Sequence, residues 1–98
     1  MIVWLSLWRG LQTSPGERIP FAEIVAMVAR KHDLTVKDLL GRSSARDIAW
    51  ARQEAMWMAR RHTGLSLPAL GRRFGRDHST VLYGVRQHEA RMKMEEAA

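Results

Sequence analysis

The chain has no cysteine and little proline, and each shortage excludes a class of protein. The absence of cysteine from its 98 residues rules out a disulfide framework and a thiolate metal site, and is compatible with a reducing cytosol. Only three prolines, with 46% hydrophobic residues, argue for a folded rather than a disordered chain. A length of 98 residues suits one domain with a modest core. The composition therefore predicts one small folded domain.

Long hydrophobic runs and phosphate-binding loops are missing too. The apolar opening MIVWLSLW is too short to span a bilayer, and neither a basic segment before it nor a small-residue cleavage pattern after it marks a signal peptide. No G-x-x-x-x-G-K-[ST] loop occurs. We therefore expect no membrane association, no cofactor, no nucleotide and no ATPase module.

Acidic residues are scarce in the second half of the chain. Residues 41–98 carry eleven Lys or Arg against six acids, whereas residues 1–40 carry five against four, within a net charge of +6. Thirteen of the sixteen cations are arginine, whose planar fork binds phosphate or guanine. This favours an anionic polymer as the partner, and leaves histone-like non-specific binding open.

Apolar residues recur at helical spacing and predict an all-α bundle of about five helices. Pro20 begins a helix that ends near His32, Thr35 begins a short one that Gly41 stops, and a long one follows over 44–61. The stripes comprise Phe21, Ile24, Val25, Val28 and Ala29, then Ile48, Ala51, Ala55, Met58 and His62. We predict a domain at 20–93, an N-terminal tail or extra helix at 1–19, and a tail at 94–98.

Residues 66–86 predict a helix-turn-helix. The first arm buries Leu67, Leu70 and Phe74, and the second buries Val81, Val85, His88 and Met92. Ser66 caps the first arm with Pro68 in its first turn, Gly75 lies in the turn, and Asp77 caps the second arm. The two arms must therefore pack on a shared core.

The first turn of the second arm is polar, which is typical of a recognition helix. His78, Ser79 and Thr80 follow the cap Asp77, where residues of such a helix contact base edges. Arg72, Arg73 and Arg76 lie just upstream, in a position to contact the sugar-phosphate backbone. Two plainer interpretations remain, because Asp77 caps a helix with or without DNA and the arginines could form an ordinary solvated face.

A second stripe joins cations to tryptophans on the long helix. It consists of Arg46, Trp50, Gln53, Trp57 and Arg60. Three interpretations are open: phosphate contacts with aromatic support, a broader core, or a protein interface. Trp4 and Trp8, one helical turn apart near the N-terminus, could also dock a protein or mediate self-association.

The four histidines do not indicate a metal or catalytic site. No pair has the i, i+4 spacing of a zinc site. Asp77, His78 and Ser79 are consecutive, so their side chains point in different directions and cannot form a catalytic triad. We therefore expect structural histidines, no bound metal and no enzyme activity.

The segment FGRDHSTVLYGV resembles the signature of the C-terminal DNA-binding domain (domain IV) of the bacterial replication initiator DnaA, a Trp-repressor-like fold whose pattern is close to F-G-G-R-D-H-[ST]-T-V-x-x-[AG]. The resemblance runs from about Ile24 to Val85. Other positions in register are Asp38-Leu39-Leu40, the run 51–56 with Ala59, Ser66-Leu67, Gly71 and Phe74.

The resemblance implies roles for individual residues. Asp77, His78, Ser79 and Thr80 match the major-groove contacts, Arg46, Arg52, Gln53 and Arg60 match backbone contacts, and Pro68 lies where the turn approaches DNA. Two departures stand out. Ser44 replaces the usual minor-groove arginine, so that minor-groove contact is lost or shifted to Arg42 or Arg46, and the turn has one glycine where the family commonly has two.

Two functions are compatible with these features. The first is a sequence-specific double-stranded DNA-binding protein of the bacterial cytoplasm and nucleoid, which regulates transcription or replication by site occupancy or recruitment. Such a gene could be chromosomal or belong to a phage or other mobile element. The second is a protein-protein interaction module that uses Trp4, Trp8, Trp50 or Trp57, with weak or non-specific DNA binding.

Overall fold

The computed structural model describes residues 18–97, which form five helices and no strand. The helices are α1 (Phe21–Lys31), α2 (Val36–Leu40), α3 (Arg46–His62), α4 (Leu67–Phe74) and α5 (His78–Ala97). The predicted all-α bundle is confirmed. Helix α5 continues to Ala97, through most of the segment expected to be a tail. Residues 1–17, which include Trp4 and Trp8, and Ala98 lie outside the described residues.

Short polar side chains begin two of the helices as the sequence predicts. The Thr35 hydroxyl accepts the backbone N–H of Asp38, and the Asp38 carboxylate accepts that of Thr35, both at 3.0 Å. This capping box satisfies two donors that a helix start leaves unpaired. The Ser66 hydroxyl likewise accepts from the Ala69 N–H at 3.3 Å, and Pro68 occupies the first turn of α4.

Helix α3 begins later than expected. Its N-cap is Ala45, which makes no side-chain cap, so the prediction of a start at Ser44 is wrong. The Ser43 hydroxyl instead accepts the backbone N–H of Ala45 at 3.2 Å. A serine hydroxyl that binds the backbone two residues on favours a turn over a helix. Residues 41–45 therefore form a loop between α2 and α3.

All five helices contribute to one hydrophobic core. Its fully buried large side chains are Ile24, Val25 and Val28 of α1, Leu39 of α2, Met56 and Met58 of α3, Leu70 and Phe74 of α4, and Val81 of α5. The Phe74 ring meets Phe21 edge-on, with the ring centroids 5.1 Å apart. Helices α4 and α5 therefore rest as a pair on α1 and α3.

Helix α3 lies at the centre of the bundle and packs along α5. It crosses α5 at Gly84, beside Gln53 and Met56. Trp57 is half-buried against the core, and its ring lies 5.2 Å from the His88 ring. The stripe of cations and tryptophans therefore divides, because Trp57 belongs to the core.

A buried carboxylate ties α3 to the end of α1. Glu54 is 6% exposed. One carboxylate oxygen accepts a hydrogen bond from Lys31 Nζ at 2.7 Å, and the other pairs with His32 Nε2 at 2.9 Å. Burying a charge is costly unless it is paired. His32 therefore has a structural contact in the bundle, as His88 has with Trp57.

Candidate nucleic-acid interface

The turn between α4 and α5 closes with a single glycine. Gly75 adopts the left-handed conformation, with φ of 68°, which costs other residues about 1–2 kcal/mol. The Arg76 N–H donates to the Gly71 carbonyl at 2.8 Å, and the Gly75 N–H donates to that of Arg72 at 3.3 Å. These two bonds form a Schellman motif, which satisfies carbonyls at the end of α4. One glycine is therefore enough to connect the two helices.

Gly71 allows α4 to lie directly against the start of α5. A Cβ atom at Gly71 would lie 2.6 Å from the Arg76 carbonyl oxygen and 3.2 Å from the His78 nitrogen. Both atoms belong to the backbone, so neither can move aside as a flexible side chain would. The absence of a side chain at Gly71 therefore sets how closely the two helices approach.

Asp77 caps α5 through its side chain. Its Oδ2 accepts the backbone N–H of Ser79 at 3.0 Å and also the Ser79 hydroxyl, while its carbonyl accepts the N–H of Thr80 at 3.0 Å. The hydrogen bonds from Ser79 hold the pKa of the Asp77 carboxyl below its usual value. The cap predicted from the sequence is confirmed, and it keeps the carboxylate ionised.

The four residues predicted to contact bases lie together at the exposed end of α5. Asp77, His78, Ser79 and Thr80 are all exposed, and the His78 side chain is 59% exposed. The His78 imidazole and the Thr80 hydroxyl offer donors and acceptors to a partner, whereas the Ser79 hydroxyl hydrogen is directed to Asp77. Because Ser79 donates to the carboxylate, the cluster lacks the serine-histidine bond of a catalytic triad.

Most of the arginines predicted to contact the DNA backbone are exposed. Arg42, Arg46, Arg60, Arg72 and Arg73 are exposed, as is Pro68. Arg72 and Arg73 project from α4, with the Arg73 guanidinium 5.7 Å from the Phe21 ring centroid. The Arg46 guanidinium lies 4.6 Å from the Trp50 ring centroid. These side chains are available to an anionic partner.

Arg52 is placed differently from the prediction. It is 5% exposed, and it donates through Nε to the Leu39 carbonyl at 2.7 Å, through Nη1 to that of Ser43 at 2.9 Å and through Nη2 to that of Asp38 at 3.2 Å. Burial lowers the pKa of its guanidinium. The structure therefore corrects the predicted phosphate contact, because Arg52 holds the α2–α3 loop from inside.

Arg76 and Gln53 also have contacts that the sequence did not indicate. Arg76 donates to the Phe74 carbonyl at 2.9 Å and to the Gly41 carbonyl at 2.8 Å, so it ties the helix-turn-helix to the end of α2. Gln53 is half-buried beside Gly84, and its Oε1 has no hydrogen-bond partner in the described chain. Arg42, next to Gly41, is thereby placed beside the turn.

Three further residues on α5 were not identified from the sequence. They are Tyr83, Arg86 and Arg91. Tyr83 and Arg86 are exposed and lie four and seven residues after Ser79, so Ser79, Tyr83 and Arg86 share one face of the helix. Val81 and Val85 form the buried apolar stripe of α5, and the exposed face lies on the opposite side of the helix. Arg91 lies 4.5 Å from the Trp50 ring centroid, a contact between helices that no sequence spacing indicates.

Within residues 18–97 no helix is both long and apolar enough to cross a bilayer. The same residues contain no group of three histidine, cysteine or acidic side chains placed to hold a metal ion.

Comparison with known proteins identifies relatives of the chain. The model of the bacterial DnaA protein helix-turn-helix family matches residues 21–87. The chain is 49% identical over 95 residues to the chromosomal replication initiator protein DnaA of Nostoc punctiforme, covering 84% of this chain and 20% of the relative. Identity to the DnaA protein of Tropheryma whipplei (strain Twist) is 46% over 72 residues, or 74% and 15% of the two chains.

The DnaA protein of Brucella abortus is 47% identical over 83 residues, which cover 82% of this chain and 17% of the relative. The chain thus spans a fifth or less of the length of these relatives. The family match takes in α1 to α4, the turn and the exposed end of α5. By this match and these identities, the chain belongs to the bacterial DnaA helix-turn-helix family.

Proposed function

We propose that the chain is a sequence-specific double-stranded DNA-binding protein. The observation that carries the proposal is the exposed first turn of α5, where His78, Ser79 and Thr80 stand clear of the core behind the Asp77 cap. In a helix-turn-helix this end of the second helix enters the major groove. His78 and Thr80 therefore contact base edges, and Asp77 and Ser79 set the geometry of the turn.

The affinity comes mainly from contacts between arginine and phosphate. Arg72 and Arg73 contact the backbone beside the turn, Arg42 and Arg46 contact it from the α2–α3 loop and the start of α3, and Pro68 brings α4 close to it. Arg60 contributes from the exposed face of α3. Each phosphate contact releases a counterion, so binding weakens steeply as salt rises. Arg52 and Arg76 act indirectly, because they hold the loop that carries Arg42.

The proposed biological role depends on the chain occupying a site on DNA. The relatives that the chain matches are chromosomal replication initiators, and a DNA-binding domain changes replication or transcription by occupying a site or by recruiting a partner. We therefore assign the protein a regulatory role in one of these processes.

Docking of a protein is the second candidate, and one observation favours it. Trp50 is 43% exposed, and exposed tryptophans are enriched where proteins bind. Trp57 gives it no support, because that ring packs against the core. Titration of a selected and a scrambled duplex separates the two candidates, since a protein-docking module binds both duplexes equally weakly or not at all.

Selection from a random duplex library tests the proposal, followed by affinity measurements on the selected and a scrambled duplex. We expect His78→Ala and Thr80→Ala each to lower the preference for the selected site, by about 5- to 150-fold for the ~1–3 kcal/mol of a good base contact. Thr80→Ser keeps the hydroxyl and serves as the matched control. Equal losses on both duplexes would exclude a base contact at that residue.

A further inference from the structure

Two arginines from different helices contact the same tryptophan. Arg46, the first residue of α3, lies 4.6 Å from the Trp50 ring centroid, and Arg91 of α5 lies 4.5 Å from it. Both distances are within the roughly 6 Å over which a guanidinium is attracted to an aromatic face. Trp50 itself is 43% exposed. We call Arg46, Trp50 and Arg91 the arginine-tryptophan stack.

The arginine-tryptophan stack forms no ion pair within the described chain, although burial lowers the pKa of Arg91 and the nearby carboxylates of Glu54 and Glu95 oppose that lowering. The ion pairs within residues 18–97 involve only Glu54 and Asp77 as acids, so neither Arg46 nor Arg91 is within pairing distance of a carboxylate there. Nη2 of Arg91 is also buried without a hydrogen-bond partner among these residues. Holding two like charges at one ring costs Coulomb energy. An anion from a partner would relieve that repulsion.

The position of the stack suggests which anion. Arg46 follows the α2–α3 loop, which Arg76 ties to the helix-turn-helix through the Gly41 carbonyl at 2.8 Å. The stack therefore belongs to the same rigid unit as the exposed end of α5. Arg91 lies 13 residues beyond His78, about 20 Å along the helix axis at 1.5 Å per residue. Arg91 is therefore too far from His78 to contact the same bases, but its stacking on Trp50 places it beside Arg46, which we propose contacts the flanking backbone.

We propose that the arginine-tryptophan stack binds a backbone phosphate of duplex DNA that flanks the bases contacted by α5. Trp50 acts as a positioning residue, because its ring holds both guanidinium groups toward the phosphate. The inference rests on the proposed DNA-binding function and adds a contact outside the helix-turn-helix. It also accounts for the exposure of Trp50 without a protein partner.

The salt dependence of duplex binding tests the role of Arg91. The wild type and Arg91→Gln are titrated with the selected duplex at 50 and 200 mM salt. Loss of one phosphate contact lowers the slope of log affinity against log salt by about 0.9, so the wild type should lose about three- to four-fold more affinity than the variant over this range. Arg61→Gln is the matched control, since Arg61 also stacks on a tryptophan, with its guanidinium 5.2 Å from the Trp57 ring centroid.

Variants of the ring test positioning separately. Trp50→Phe keeps an aromatic face and should keep the salt slope. Trp50→Leu is close to phenylalanine in size but has no aromatic face, and it should lose about as much slope as Arg91→Gln. A purely structural role for Trp50 predicts equal slopes for the two variants. That result would overturn the positioning role.

A neutral methylphosphonate, placed in turn at each flanking position of the duplex, tests the contact on the unaltered protein. At one flanking position the neutral group should cost the wild type more affinity than it costs Arg91→Gln, which keeps only the Arg46 contact. If no such position exists, the arginine-tryptophan stack does not bind a phosphate, although the base preference from His78 and Thr80 persists. If the wild type binds no duplex at all, the proposed function itself fails and the inference fails with it.

Discussion

At the scale of single residues, Arg52 shows how a cation can look like a DNA contact and yet support the fold. Its guanidinium donates to carbonyls of Asp38, Leu39 and Ser43, which lie at the end of α2 and in the following loop. The Asp38 carbonyl also accepts the Gly41 N–H, at 3.4 Å, whereas the Leu39 carbonyl lies past the last backbone donor of α2, where a helix leaves its carbonyls unpaired. Helical periodicity places Arg52 beside buried Ala51, but it cannot show that a loop folds over the side chain.

Arg52→Met should therefore destabilise the fold. Methionine keeps the apolar stem but leaves buried carbonyls unpaired, and we expect a loss of about 2–3 kcal/mol. Arg60→Met on the exposed face of the same helix is the control, with an expected change within about 0.5 kcal/mol. Urea unfolding measures both. Equal stability of the two variants, with DNA affinity reduced in Arg52→Met, would restore Arg52 as a phosphate contact.

At the scale of helices, features that depend on a few adjacent residues were predictable. The Thr35 capping box, the Ser66 cap and the Asp77 cap each need only residues two or three positions away, and all three are present. The start of α3 was not predictable, because residues 41–45 are held by Arg52 and Arg76 from distant parts of the chain. Local chemistry therefore determines the helices, and contacts between them determine the loop.

The close approach at Gly71 leads to a prediction about the helix-turn-helix. In Gly71→Ala the new methyl group must push the turn and the start of α5 away, at a cost of about 1–3 kcal/mol. The displaced helix should also lose preference for its selected duplex when affinities are compared at equal folded fraction. Thermal unfolding and duplex titration measure the two effects.

Gly75→Asn is the control for Gly71→Ala. Gly75 is left-handed with no atom within 4 Å of an added Cβ, and asparagine tolerates that conformation. We expect a smaller loss of stability and an unchanged duplex preference. If Gly71→Ala keeps the full preference, the spacing of α4 and α5 does not govern base contact.

At the scale of the whole molecule, the polar end of α5 and the excess of arginine were predictable from the sequence, and the pairing of α3 with α5 was not. His78, Ser79 and Thr80 follow a recognisable cap, whereas the contact between Trp50 and Arg91 joins residues 41 positions apart. The same interhelical packing buries titratable groups. Glu54 lies between α1 and α3, and His88 packs on Trp57.

These buried groups predict that the fold loses stability in acid in two stages. Burial lowers the pKa of His88 below its ordinary 6.5, so the unfolded chain takes up the proton first and stability falls as the pH drops below about 6.5. Burial raises the pKa of Glu54, but hydrogen bonds from His32 and Lys31 outweigh it and leave the pKa below its ordinary 4.5. Its contribution is present above pH 4.5 and is lost as the pH falls further.

Urea midpoints measured from pH 7.5 to 3.5 check both stages. His88→Gln should remove part of the decline between pH 6.5 and 5, with the remainder left to His62, whose pKa burial also lowers. Glu54→Gln should be less stable than the wild type at neutral pH, because it loses a buried ion pair, and should decline less below pH 4.5. A wild-type midpoint that stays constant down to pH 5 would show that His88 is solvated and does not pack on Trp57 as the structure has it.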